Sequence, residues 1–195
     1  SAHTEQRLLR TEYRGEPTCG AANLVNDVQG CVYGCLGLGD CVRVCDYDAI
    51  HVLDGLATVV YENCTGCGAC VEVCPRHIIS RIPFKAAEIL VVKCSNDDFG
   101  LEVKKVCQVG CIGCKACTKF SDLLVMEGNL PIVDYQATEF SGADFSTSLE
   151  KCPAESLVFV GVPSREDLEA TVDEELPERI EPEFETTVDR ADWWG

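Results

Sequence analysis

Four cysteines, Cys64-x2-Cys67-x2-Cys70-x3-Cys74, followed by Pro75, make the densest ligand run in the chain. Three thiolates on so short a loop can wrap one face of an iron–sulfur cube, and Gly66 and Gly68 let the backbone approach its inorganic sulfurs. The fourth cysteine of such a run enters a helix and ligates the other cluster of a pair, so a partner run is required. One lies just upstream, Cys31-x3-Cys35-x5-Cys41-x3-Cys45. Laying CLGLGDC over CTGCGAC matches Cys35 to Cys64, Leu38 to Cys67 and Cys41 to Cys70. Leu38 therefore replaces the middle ligand, and Cys31 is the expected substitute. Crossed ligation gives a first site of Cys31, Cys35, Cys41 and Cys74, and a second of Cys64, Cys67, Cys70 and Cys45.

The pattern returns downstream. CQVGCIGCKACTKF followed by IVDY parallels Cys31 to Tyr61, and here the middle ligand, Cys114, is present. The fourth cysteine position of this run is Ser121, and its partner segment keeps only Cys152-Pro153. Both halves of one ligand set are thus missing together. The remaining set is Cys111, Cys114, Cys117 and Cys152, and the expectation is three [4Fe-4S] clusters rather than four. Cys19, Cys94 and Cys107 are left over. They read as packed thiols, or as a further metal site, with Cys107 also able to displace Cys111 or Cys114.

Short elements must hold these loops. CVRVC can make a helix that carries Cys45 to the second site. The apolar segments around Asp54-Gly55 and around Gly128-Asn129 read as β-hairpins. HIISRIP is expected as a closing strand. Residues 83–106 read as a hairpin insert, with strands at Ile89–Cys94 and in LEVKKV. The predicted organisation is an arm at 1–30, a two-cluster module at 31–82, the insert at 83–106, a degenerate one-cluster module at 107–162 and an acidic tail at 163–195. The fold class expected is α+β: tandem bacterial two-cluster ferredoxin-like modules, the second degenerate, with an extended C-terminal tail.

Totals narrow the function. Of 195 residues 15 are cysteine, a density that suggests either metal or disulfides. The polar first residues lack an apolar signal core, and close-set cysteines suit metal better, so a reducing cytoplasm is expected. No run approaches the roughly 20 apolar residues of a membrane span. A net charge of −17 argues against nucleic acid. The segment after Val162 carries −9 of that charge, yet ends in Trp193-Trp194. It is expected to wrap a partner, with the tryptophans as anchors. His51 and His77 read as polar residues at element ends rather than proton relays. No phosphate-binding or dinucleotide-binding glycine pattern is present, and no catalytic residue is assigned.

The strings YGCLGLGDCVRVC, NCTGCGACVEVCP and VGCIGCKACTKF, with IVDY, resemble the iron–sulfur B subunit of Rnf-type ferredoxin:NAD+ oxidoreductases over about two-thirds of the chain. The resemblance implies a ferredoxin-like carrier of several clusters. The departures are the missing membrane-anchoring N-terminal helix, the lost fourth cluster and the additional acidic tail. They imply a soluble relative bound to a larger catalytic oxidoreductase subunit, as in the small iron–sulfur subunit of tungsten-dependent benzoyl-CoA reductase. The function expected is one-electron relay within a hetero-oligomer. The alternatives are a free polyferredoxin shuttle and a zinc-binding module.

Overall fold

The computed structural model describes residues 4–8, 11–83, 88–137 and 143–161. Its helices are α1 (Cys19–Asn23), α2 (Asp40–Arg43), α3 (Ala69–Val73), α4 (Gly100–Val106) and α5 (Ser146–Glu150). Its strands are β1 (Ile50–Leu53), β2 (Leu56–Val59), β3 (Ile89–Val92), β4 (Leu124–Glu127), β5 (Leu130–Val133) and β6 (Leu157–Val160). Among the described residues the strands form three two-stranded antiparallel sheets, β1–β2, β3–β6 and β4–β5. A 3-10 turn, Cys117–Lys119, takes the place of a helix after the downstream run.

Both expected hairpins form. Ile50 pairs with Val59 and Leu53 with Leu56, across a turn in which Asp54 (φ 46°) and Gly55 (φ 70°) are both left-handed. That is the two-residue turn whose twist matches antiparallel strands. Leu124 pairs with Val133 and Glu127 with Leu130, about Gly128 (φ 59°).

Two strand expectations are corrected. LEVKKV is not a strand but lies in α4. Its Leu, Glu and Lys are helix formers, Lys105 Nζ bonds Glu102 one turn away at 2.7 Å, and Val103 is fully buried. Alternation over six residues had suggested a period of two, whereas the inward face of one short helix requires little more than Val103. HIISRIP is not a strand either. A strand needs a partner edge, and β3 takes β6 instead, pairing Ile89 with Val160 and Val92 with Leu157. The insert is therefore strand, loop and helix, tied to the distant end of the described chain.

The main core surrounds that pairing. Ile89, Leu90, Leu124, Val133, Phe145 and Leu157 pack into one buried cluster with Cys117. Burial of each large aliphatic side chain stabilises by roughly 1.5–3 kcal/mol. The Tyr135 hydroxyl donates to the Leu90 carbonyl at 2.9 Å, and Phe145 meets Phe159 edge-on at 6.5 Å. Ala49, Ile50, Val52 and Val60 are buried under the first hairpin. Each of the first and last ligand loops is seated on a hairpin tip. A Cβ on Gly37 would lie 2.5 Å from the Gly55 carbonyl oxygen, and one on Gly113 would lie 3.0 Å from that of Asn129.

Candidate metal centres

One loop is used three times. In CLGLGDC, CTGCGAC and CIGCKAC the third and fifth residues are left-handed: Gly37 (φ 75°) and Gly39 (78°), Gly66 (72°) and Gly68 (91°), Gly113 (65°) and Lys115 (60°). Two left-handed residues in five reverse the chain twice, so the flanking thiols face one concavity. Lys115 is notable because a non-glycine residue is uncommon there. The conformation is imposed by the loop rather than invited by glycine.

The fourth cysteines share a second device. Three residues after Cys45, Cys74 and Cys152 stand Asp48 (φ 50°), His77 (50°) and Glu155 (48°), all left-handed. His77 N–H donates to the Cys74 carbonyl at 3.1 Å, and Glu155 N–H to that of Cys152 at 3.3 Å. In the following turn Ala49 N–H donates to Cys45 Sγ at 3.4 Å, and Ser156 N–H to Cys152 Sγ at 3.3 Å. Backbone N–H donors aimed at sulfur are what a thiolate ligand of a cluster requires. The roles of His77 and Asp48 here are conformational.

The downstream centre is gathered most completely. Cys111, Cys114, Cys117 and Cys152 all line one recess, about 380 Å³ with its solvent mouth included, with Gly113, Met126, Pro131 and Leu157. Burial pushes the Cys111 thiol up to about 11, and the nearby Cys94, Cys117 and Cys152 thiolates add to it. Ser148 Oγ donates to the Cys117 carbonyl at 3.1 Å and fixes the 3-10 turn after the loop.

At the second centre, burial raises the Cys70 thiol, and Cys64 and Cys67 raise it further. Cys64 and Cys67 are exposed. Asn63 Nδ2 donates to the Asp48 carbonyl at 3.1 Å, tying the start of this run to the turn after Cys45.

At the first centre a thiol outside the expected set of Cys31, Cys35, Cys41 and Cys74 comes close. Burial pushes the Cys41 thiol up to about 12, and the thiolates facing it are Cys35, Cys19 and Cys74. Burial raises the Cys19 thiol, and the nearby backbone N–H groups of Asp40 and Leu38 oppose that. Cys19 thus stands beside the residue that replaced a ligand. Cys31 turns the other way, toward Cys94 and Cys107, and accepts from Asn96 Nδ2 at 3.4 Å. The physical reason lies in the arm. Thr18 caps α1 by accepting from Ala21 N–H at 3.2 Å. Gly20 N–H donates to Asp40 Oδ2 at 3.0 Å, and Arg43 reaches both Leu38 O at 2.7 Å and Pro17 O at 3.3 Å. These bonds hold Cys19 against the loop. The available signal was Thr18, a capping residue placing Cys19 at a helix start.

Arg76 joins two regions. Its guanidinium donates to Gln29 Oε1 at 3.1 Å, to Cys31 O at 2.9 Å, to Gly34 O at 2.7 Å and to Asn23 Oδ1 at 3.1 Å. Burial lowers its pKa, while the Cys31, Cys35, Cys19 and Cys74 thiolates oppose that.

The donor set fits cubes better than single ions. A tetrahedral zinc with Zn–S near 2.3 Å draws its sulfurs to about 3.8 Å apart. Among the described residues no three His, Cys, Asp or Glu side chains converge closely enough for one metal ion. Three thiols on one short loop and a fourth from a separate turn, as at Cys111, Cys114, Cys117 and Cys152, suit a [4Fe-4S] group, which when bound would supply the one-electron chemistry.

The cysteine runs are shared with known proteins. The 4Fe-4S binding domain family matches residues 57–80. The chain is 40% identical over 148 residues to the B subunit of the Na(+)-translocating ferredoxin:NAD(+) oxidoreductase complex of Acetobacterium woodii, covering 74% of this chain and 43% of that one. It is 43% identical over 110 residues to the B subunit of the ion-translocating oxidoreductase complex of Methanosarcina acetivorans, 55% of this chain and 41% of that one. It is 37% identical over 146 residues to the B subunit of the proton-translocating ferredoxin:NAD(+) oxidoreductase complex of Clostridium ljungdahlii, 73% of this chain and 50% of that one. The chain spans half or less of the length of these curated relatives. The resemblance carried by the cysteine runs is borne out. No helix among the described residues is long and apolar enough to cross a membrane.

Proposed function

We propose, taking kinship with Rnf-type B subunits as the premise, that this chain is the electron-transfer subunit of an oxidoreductase complex. Single electrons pass through three ferredoxin-type [4Fe-4S] clusters to or from a catalytic subunit. The ligand sets are Cys19, Cys35, Cys41 and Cys74; Cys45, Cys64, Cys67 and Cys70; and Cys111, Cys114, Cys117 and Cys152. The organisation is two ferredoxin-like modules, the second degenerate, and the acidic segment after residue 162 docks the partner. That segment lies outside the described residues.

The observation that carries this reading is the threefold recurrence of one ligand loop with its left-handed pair, matched by three fourth cysteines with one shared turn. The chain's own residues supply thiolates, N–H donors to sulfur and a fixed positive charge at Arg76, which are levers on reduction potential. The chain itself makes or breaks no substrate bond. The catalytic partner is of the tungsten-containing kind that the sequence resemblance implies.

Anaerobic purification from the native host tests this. The protein is expected to be brown, to hold at least about twelve iron and twelve sulfide per chain, the content of three cubes, and to elute with a larger oxidoreductase containing tungsten. A colourless, zinc-loaded chain would sink the cluster assignment. A brown monomer would favour the shuttle, and a brown complex without tungsten would remove only that partner.

A further inference from the structure

The three cysteines outside these sets do not scatter. Cys31, Cys94 and Cys107 all line one recess, together with Gln29, Tyr33 and Asn96. They arrive from three places: before the first loop, after β3, and at the end of α4. The recess measures about 430 Å³, against about 380 Å³ for the downstream centre, each with its solvent mouth included. It is therefore as roomy as a hollow already lined by four thiols.

Its walls are built rather than incidental. Asn96 is 2% exposed. Its side-chain carbonyl accepts Asp98 N–H at 2.8 Å, which turns Nδ2 onto Cys31 Sγ at 3.4 Å. A buried amide donating to a thiolate stabilises the charged sulfur and tunes whatever it ligates. A Cβ on Gly110 would strike Val103 and stand 3.4 Å from Cys107 Cβ, so that wall has no spare room. The N-terminal segment closes another side: Arg7 bridges to Cys107, Leu8 N–H donates to Val106 O at 3.1 Å and Gln108 N–H to Gln6 O at 3.0 Å.

We propose that Cys31, Cys94 and Cys107 hold a further iron–sulfur cluster by three thiolates, with one corner not ligated by cysteine. The proposal rests on the ligand sets given above, which leave these three thiols unassigned. A single ion is disfavoured, because no such trio converges to ion-binding distance among the described residues. The free corner is either empty, giving a three-iron cluster, or an iron with a non-thiolate ligand.

The location gives the group a role. Cys94 faces Cys111 of the downstream centre. Arg76, which holds the Cys31 carbonyl, also faces Cys35, Cys19 and Cys74 of the first centre. The recess therefore lies between the two modules. One electron entering from either neighbour reduces the cluster by one, and the same electron leaves to the other, with no bond or proton changed.

Iron and sulfide analysis of the anaerobically prepared full chain tests the proposal, beside Cys94→Ser and Cys107→Ser variants. The wild type is expected to carry about three or four irons beyond the twelve of three cubes. Each variant should lose those and keep the rest. Electron paramagnetic resonance separates the two forms of the corner, since an oxidised three-iron cluster is paramagnetic and an oxidised four-iron cube is silent. A wild-type count of about twelve would overturn this proposal alone, whether or not the variants fold. An iron-free, zinc-loaded chain would overturn it together with the electron-transfer reading.

Discussion

Gly20 N–H donates to Asp40 Oδ2 at 3.0 Å, and this sets Cys19 beside the loop in which Leu38 stands where the other two loops carry a middle cysteine. On the ligand set proposed for this centre, the thiol missing from the loop comes from a helix outside it. The replacement comes from sixteen residues upstream of Cys35 and is held by the Thr18 cap and the Asp40 and Arg43 bonds to the arm. The loop keeps both left-handed residues, Gly37 and Gly39, although its middle thiol is gone.

Cys19→Ser is expected to remove or destabilise the cluster of the first centre, a loss of up to about four irons per chain. Cys31→Ser should leave that centre's spectrum in place. Iron counting with electron paramagnetic resonance of the dithionite-reduced protein checks both. The reverse result would restore Cys31 as the ligand.

Two glycines at the same loop position should differ. Gly37→Ala meets the Gly55 carbonyl in addition to adopting an unfavourable φ, and should cost about 2–4 kcal/mol. Gly66→Ala meets no atom within 4 Å and carries only the backbone strain, about 1–2 kcal/mol. Thermal unfolding of the cluster-loaded proteins measures the gap. Equal losses would show that the hairpin tip yields.

Cluster assembly should favour alkaline pH. Burial pushes Cys41 to about 12 and Cys111 to about 11 in the metal-free fold, so both are protonated at pH 7 to 9. Ligation requires thiolates, so loading releases those protons and apparent affinity rises with pH across this window. Anaerobic reconstitution at pH 7 and pH 9, with proton release followed by titration, reads the effect. A pH-independent yield would show that ligation draws on thiols already ionised.

Arg76→Met removes a positive charge facing the Cys31, Cys35, Cys19 and Cys74 thiolates. Reduction adds negative charge, so potentials nearby should fall. The change expected is on the order of a hundred millivolts, the scale of one charge several ångströms away at an effective dielectric of about 20. Arg76→Lys should recover part of the shift, since it keeps the charge but loses the fork to Cys31 O and Gly34 O. A redox titration in which Met and Lys variants shift alike would assign Arg76 to packing.

Truncation after Val162 should weaken binding to the catalytic partner while leaving iron content intact, because the segment removed carries no cysteine. Pull-down of the partner with full and truncated chains, alongside iron analysis, measures both. Loss of iron would place the segment in the fold.

The spacing of cysteines on a continuous stretch of chain was enough to locate the three loops and to place Cys152 with Cys111, Cys114 and Cys117 around one recess, because closely spaced thiols on one short loop face a common side. The two hairpins were equally legible, since Asp54-Gly55 and Gly128-Asn129 are local turn chemistry. Cys19, Cys31 and Cys94 were not legible. Each is a single cysteine whose surroundings are set by hydrogen bonds spanning 20 to 65 positions. In LEVKKV the Leu, Glu and Lys favour helix while the alternation of Leu101 and Val103 favours strand, and the choice is made when Val103 is buried and β3 pairs with β6. Local spacing carried the centres. The long-range pairing of arm, insert and downstream segment decided which thiols stand near one another, and it left Cys31, Cys94 and Cys107 lining a hollow of their own.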